Sequence, residues 1–150
     1  MKSTNEYTYP IEQSKMVRMS ASESPAHVGK LKHAIDFICP EGTPIKAACD
    51  GVVIDIKQDS NKSGSTEEYD KFGNYIEIQH KNDEYSIYEH IKQKGSIVKV
   101  GDKVKMGQII GYSGKTGWIA QLGPHLHVDV HKYRSNNPED YETIEIKWIK

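Results

Sequence analysis

Apolar and polar residues alternate with a period of two in short runs along this chain, and nowhere do they recur at the spacing of a long amphipathic helix. Runs at residues 34–38, 44–48, 52–57, 74–80, 84–90, 104–105, 108–112 and 125–132 are therefore predicted as strands. Turns built on Gly42, Gly51, Gly101, Gly107 and Gly111 punctuate them. A further alternating run at 143–148 is predicted as an edge strand. Residues 57–73, rich in Ser, Asn, Glu and Asp, read as an exposed loop too long for a tight hairpin, with the rim of a groove as one place for it. Residues 1–26 show little periodicity and predict an extended arm, leaving 27–150 as one domain of a mainly β class.

The run that carries chemistry is Gly123-Pro124-His125-Leu126-His127-Val128-Asp129-Val130. At strand period both imidazoles leave one face, while Leu126, Val128 and Val130 leave the other. Two ring nitrogens on one rigid face suit a metal, and Asp36, His90, His27 and His33 are the upstream groups able to complete such a centre. Asp129 shares the histidine face and either orients an imidazole from behind or faces solvent. His131, one pleat further, is expected to be exposed. His80 is expected as a groove wall or a hydrogen-bonded structural histidine. Trp118 reads equally as a substrate platform or a packed side chain.

Charge narrows the partners. With 20 Lys and Arg against 21 Asp and Glu in 150 residues, the net charge of −1 provides no basic field for nucleic acid or an anionic membrane. No apolar run approaches the roughly 18 residues of a membrane-spanning helix, and the opening Met1-Lys2-Ser3-Thr4-Asn5 lacks the apolar centre of a secretory signal. A soluble monomer without membrane insertion is expected. Only two cysteines are present, Cys39 and Cys49, which excludes a thiolate cage; they are expected as buried free thiols, with a bridge closing residues 40–48 as the alternative.

Taken in order, His27-Val28-Gly29, Ala34-Ile35-Asp36-Phe37, Pro40-Glu41-Gly42-Thr43-Pro44, Asp50-Gly51-Val52, Gly73-Asn74-Tyr75, Tyr88-Glu89-His90, Val100-Gly101-Asp102, Gly107-Gln108-Ile109 and Gly123-Pro124-His125-Leu126-His127 resemble the zinc endopeptidases of the lysostaphin and LytM type. The likeness spans residues 27–131. It implies a compact antiparallel β fold, the duplicated hybrid motif, with a narrow groove. It implies a bound Zn2+ held by Asp36 and His127, with His90 and His125 as the catalytic pair beside it. It further implies bacterial peptidoglycan cross-bridges or stem peptides as substrate, cut at the cell wall by a secreted, periplasmic or phage-delivered enzyme. The residues themselves add that Tyr88, on the parity of His90, and Asn74, after a glycine, are candidate substrate contacts, each with a structural role as the alternative.

One position departs from that family. Its first motif places a histidine ligand four residues before the aspartate, where this chain has Lys32. His27 and His33 are the replacements on offer; an odd offset from Asp36 turns His33 to the wrong strand face, and His27-Val28-Gly29 resembles the beginning of the family motif followed by an insertion, which favours His27. Without a third ligand the domain becomes a non-catalytic module of the same fold. A different class, the biotinyl, lipoyl and phosphotransfer domains, shares the Gly-turn segments around Pro44-Ile45-Lys46 and Val100-Gly101-Asp102. It needs a modifiable lysine at a hairpin tip, whereas Lys105-Met106 reads as part of a strand.

Overall fold

The computed structural model describes residues 1–21, 27–119 and 123–149. The strands in chain order are β1 (Lys2–Tyr7), β2 (Arg18–Ser20), β3 (Ile35–Ile38), β4 (Pro44–Lys46), β5 (Gly51–Lys57), β6 (Ser63–Gly64), β7 (Tyr75–Gln79), β8 (Tyr85–Glu89), β9 (Ile91–Ser96), β10 (Lys103–Val104), β11 (Ile109–Ser113), β12 (Gly117–Trp118), β13 (His125–Tyr133) and β14 (Tyr141–Trp148). Among the described residues the helical segments are short 3-10 turns, in keeping with the mainly β reading.

The principal sheet runs β1-β14-β13-β8-β7-β5-β10. β13 is its organising strand. One edge pairs with β8 through His127–His131, while the other is shared between β3 along His125–Val128 and β14 along Val130–Tyr133. The apolar parity of β13 explains why it lies there: Leu126, Val128 and Val130 are buried against Phe37, Tyr88, Ile76, Ile78 and Ile144. A smaller sheet, β4-β11-β9, adds Ile45, Ile110 and Ile91 to the same cluster. Each of these side chains is effectively removed from water, worth about 1.5–3 kcal/mol per large aliphatic residue before entropy is charged against it.

Four expectations are corrected by this arrangement. The run at 143–148 is not at the edge, because β1 lies outside it and pairs in parallel with β14. Residues 1–21, the described part of the expected arm at 1–26, are likewise built into the sheet, since β1 joins β14 and β2 joins β3. The stretch 57–73 holds β6, which pairs in parallel with β12, and a 3-10 segment, Glu67–Phe72. Apart from these two parallel pairings the ladders are antiparallel, in keeping with the expected fold class. Lys105 and Met106 sit in the turn between β10 and β11 rather than in a strand. Both cysteines are free thiols, Cys39 buried and Cys49 half-buried.

Candidate metal centre

Asp36 of β3, His127 of β13 and Glu89 of β8 stand opposite one another across three neighbouring strands. Directly opposed residues on one face bring their Cβ atoms to about 4.5–5.5 Å, so pairing alone gathers these groups. His127 Nδ1 lies 3.4 Å from Asp36 Oδ1. His27 arrives from the segment that follows the β2 region, and its Nε2 lies 3.2 Å from the same oxygen. His33 is elsewhere; its backbone N–H donates to Thr143 Oγ1.

Backbone carbonyls hold three imidazoles by Nδ1. His27 donates to Ala21 O at 2.6 Å, His90 to Thr116 O at 2.6 Å and His125 to Gly123 O at 2.7 Å. A proton on Nδ1 leaves Nε2 as the lone-pair nitrogen in the neutral ring. His127 is turned the other way. Its Nε2 lies 3.0 Å from Glu89 Oε2 and 3.4 Å from Asp129 Oδ2, the second with hydrogen-bond geometry, so Nε2 carries the proton and Nδ1 presents its lone pair to Asp36.

The centre therefore aims lone pairs at one another. His27 Nε2 and Asp36 Oδ1 are buried side-chain atoms without a hydrogen-bond partner, and Trp118 Nε1 is the third such atom among the described residues. Leaving a buried acceptor unpaired costs about 1–3 kcal/mol, and two facing acceptors repel. A cation between them removes that cost. The ligand atoms of His27, Asp36 and His127 lie within 4.8 Å of one another. In a tetrahedral zinc site with bonds near 2.0–2.2 Å, donors stand roughly 3.3–3.6 Å apart, close to the 3.2 and 3.4 Å seen here. The residues fit a metal of that size and ligand taste.

His125 Nε2 is 3.6 Å from Asp36 Oδ1 but outside that triangle, and its ring packs edge-on to His90 with centroids 4.6 Å apart. Burial pushes the His90 imidazole down to about 3, helped by the His125 and His127 rings, and burial also lowers His125. Both are neutral bases at ordinary pH. Burial opposes charge on Asp36 as well, yet His127 and His27 outweigh it and hold that carboxyl well below the carboxylate range. For His127, burial is outweighed by Glu89, Asp129 and Asp36, which raise the ring; the proton they favour on Nδ1 is the one a bound cation displaces, leaving the lone pair for ligation.

Three sequence expectations fail here. Tyr88 is fully buried on the core face, where Ala48 N–H and the Ser86 hydroxyl both donate to its oxygen; it has no access to substrate. The parity argument broke because His90 lies past the end of β8 with φ at 70°, which swings its ring to the Glu89 side. Asn74 is also fully buried. Its amide holds Ser60 and Ile91 O, and its own carbonyl accepts the His90 N–H at 2.9 Å, so it supports His90 rather than touching substrate. His131, expected to be exposed, is 2% accessible. His80 is the hydrogen-bonded structural histidine, with Asp50 O and Ser86 Oγ on its two nitrogens.

The sequence reading assigned no role to Glu89 or Thr116. Strand parity could have found Glu89, since it alternates with Tyr88. Nothing in the sequence points to Thr116. Trp118 is half-buried on β12, and residues 120–122 after it lie outside the described residues.

A carboxylate and two histidines at a β-sheet face, with two further neutral imidazoles alongside, form a donor set that fits a divalent metal with an open position. Residues 30–140 match the sequence profile described as peptidase family M23, and the chain belongs to that family. The match begins after His27. The DD-endopeptidase ShyC of Vibrio cholerae is 37% identical over 137 residues, covering 83% of this chain and 27% of ShyC. The solved catalytic domain of lysostaphin from Staphylococcus simulans is 31% identical with a TM-score of 0.55, covering 74% of each chain. A zinc-containing peptidase from Vibrio cholerae is 26% identical with a TM-score of 0.59, covering 84% of this chain and 36% of that one. The fold is thus of the lysostaphin type. The chain spans about a fifth to a quarter of the curated relatives it matches.

Proposed function

We propose that the protein is a zinc-dependent endopeptidase that hydrolyses peptide bonds in bacterial peptidoglycan, in its cross-bridges or stem peptides. The observation that carries this reading is the facing, unpartnered pair of His27 Nε2 and Asp36 Oδ1, with His127 Nδ1 closing the triangle. These three residues would hold the ion. Bound zinc supplies a Lewis acid that polarises the scissile carbonyl and lowers the pKa of a coordinated water towards neutrality.

The chain's own groups do the rest. His90 and His125 each present an unprotonated Nε2, because their Nδ1 protons are committed to Thr116 O and Gly123 O. One can take the proton of the attacking water, and a ring so protonated can donate to the developing oxyanion or the leaving amine. Glu89 and Asp129 behind His127 keep its tautomer correct for ligation. ShyC is named a peptidoglycan DD-endopeptidase; with the shared family, this supports work at the cell wall.

The test pairs metal analysis with digestion of defined muropeptides and oligoglycine. One zinc per chain is expected, with hydrolysis lost to a chelator and restored by zinc. Cleavage that survives complete removal of metal, or purified protein that takes up no zinc and cuts nothing, overturns the proposal.

A further inference from the structure

Behind His127 the same face of β13 continues into a buried polar chain that the hydrolytic centre does not itself require. Asp129 spends its two oxygens on different rings: Oδ2 lies 3.4 Å from His127 Nε2 and Oδ1 2.7 Å from His131 Nδ1. The other nitrogen of His131 is 2.8 Å from Glu77 Oε2 on β7, and the Tyr133 hydroxyl donates to that same oxygen at 2.5 Å. Tyr85 of β8 stacks on the His131 ring, with centroids 5.8 Å apart and planes 13° from parallel. Asp129 and His131 are 1% and 2% exposed.

A carboxylate buried this deeply is free to turn about its last torsion unless something grips it. His131 supplies that grip on Oδ1, and its own orientation is set by Glu77 at the far nitrogen and Tyr85 on the flat side. The only ring left for Oδ2 is His127. Packing alone does not ask for such a chain, because an imidazole between two buried carboxylates is costly to assemble compared with apolar side chains of the same volume. Its geometry leads to one place, the proton on His127 Nε2.

We propose that His131 is a positioning residue for the metal: acting through Asp129, it fixes the ring plane and tautomer of His127 and so sets how tightly the ion is held. This rests on the zinc reading above. Partners behind a ligating histidine typically change metal affinity by about 10–100-fold when removed, and His131 is one residue further back in the same line.

The experiment is a double-mutant cycle read by zinc affinity, measured by competition with a chromophoric chelator on the full chain. His131→Gln, Asp129→Asn and the double variant are compared with the wild type, and metal-free melting temperatures are recorded alongside. His131→Gln should weaken zinc binding by about tenfold or more, and should add nothing once Asp129→Asn is present. Zinc bound by His131→Gln as tightly as by the wild type, or losses that simply add, overturns the role. A purely structural residue would lower the metal-free melting temperature and leave zinc affinity alone. Should His131→Gln not fold, Tyr133→Phe removes one hydroxyl from the end of the chain: several-fold weaker zinc supports the coupling and unchanged zinc overturns it. A wild-type chain that binds no zinc sinks the proposed function instead, so the two failures are told apart.

Discussion

His27 and His33 differ in sequence position by six residues and in consequence by everything. His27 Nε2 faces Asp36 Oδ1 at 3.2 Å with no other partner, while the segment of His33 is tied to Thr143 on β14. Removing one of three zinc ligands costs far more affinity than losing a group behind a ligand. His27→Ala should therefore lose its zinc during purification and have no measurable hydrolysis, whereas His33→Ala should keep both. Metal content by atomic emission checks this, and full occupancy in His27→Ala would sink the assignment. Strand parity counts only against His33, while His27 is favoured by the likeness of His27-Val28-Gly29 to the family motif; both residues lie outside β3, so parity has no hold on either. Parity failed for Tyr88 and His90, where a left-handed residue resets the alternation, and such a residue leaves no mark in sequence when it is not glycine. His131 was misjudged for another reason: its face was read correctly, but the cover that Tyr85, Tyr141 and Glu77 place over it comes from strands 46 or more residues earlier or from beyond the turn at 134–140.

Among the elements, β12 and the end of β8 are locked together, and this is where His90 gets its aim. The His90 backbone is held by Asn74 O and by Gly114 N–H, its ring by Thr116 O, and the Thr116 hydroxyl ties Asn74 N to Ile91 O. Gly117 follows with φ at +88°, and a Cβ there would stand 2.6 Å from Gly73 Cα and 3.5 Å from His90 Nδ1. No side chain fits without moving backbone. Gly117→Ala combines left-handed strain with that clash, so a loss of about 2–4 kcal/mol of stability is expected. Because the displaced backbone includes the Thr116 carbonyl just before β12, kcat should fall by tenfold or more while zinc content stays near one. Chemical unfolding, turnover and metal analysis on one preparation check all three; unchanged turnover would show that His90 does not need this anchor. Element legibility follows the same physics. β13 was readable because each face is chemically pure, but β9, with sequence Ile91-Lys-Gln-Lys-Gly-Ser, buries only Ile91 and Gly95 and offers no alternation to read.

At the scale of the whole molecule, the unexpected feature is how firmly residues 1–21 belong to the domain. The family match starts at residue 30, yet β1 closes one edge of the sheet and the Ala21 carbonyl orients His27. The fastening is Glu84, fully buried in the bend before β8. Its carboxylate accepts Thr4 N–H at 2.6 Å, Asn5 N–H at 3.2 Å and the Tyr7 hydroxyl at 2.9 Å, all across nearly eighty residues of chain. Nothing in the sequence distinguishes this glutamate from its solvated neighbours, and β1 itself, Lys-Ser-Thr-Asn-Glu-Tyr, carries too little apolar pattern to announce a strand. Glu84→Ala leaves these donors unpaired, at about 1–3 kcal/mol for each that water cannot reach. A total loss near 3 kcal/mol is expected, which for a domain of this size lowers Tm by about 6–12 °C. Since neither Glu84 nor β1 touches the metal centre, zinc affinity at 20 °C should be unchanged. Calorimetry with the zinc competition assay separates the two effects. A Tm equal to wild type would mean that β1 adds little to the stability of the domain, and a joint loss of Tm and zinc would mean that the strand edge and the His27 ligand fold as one unit.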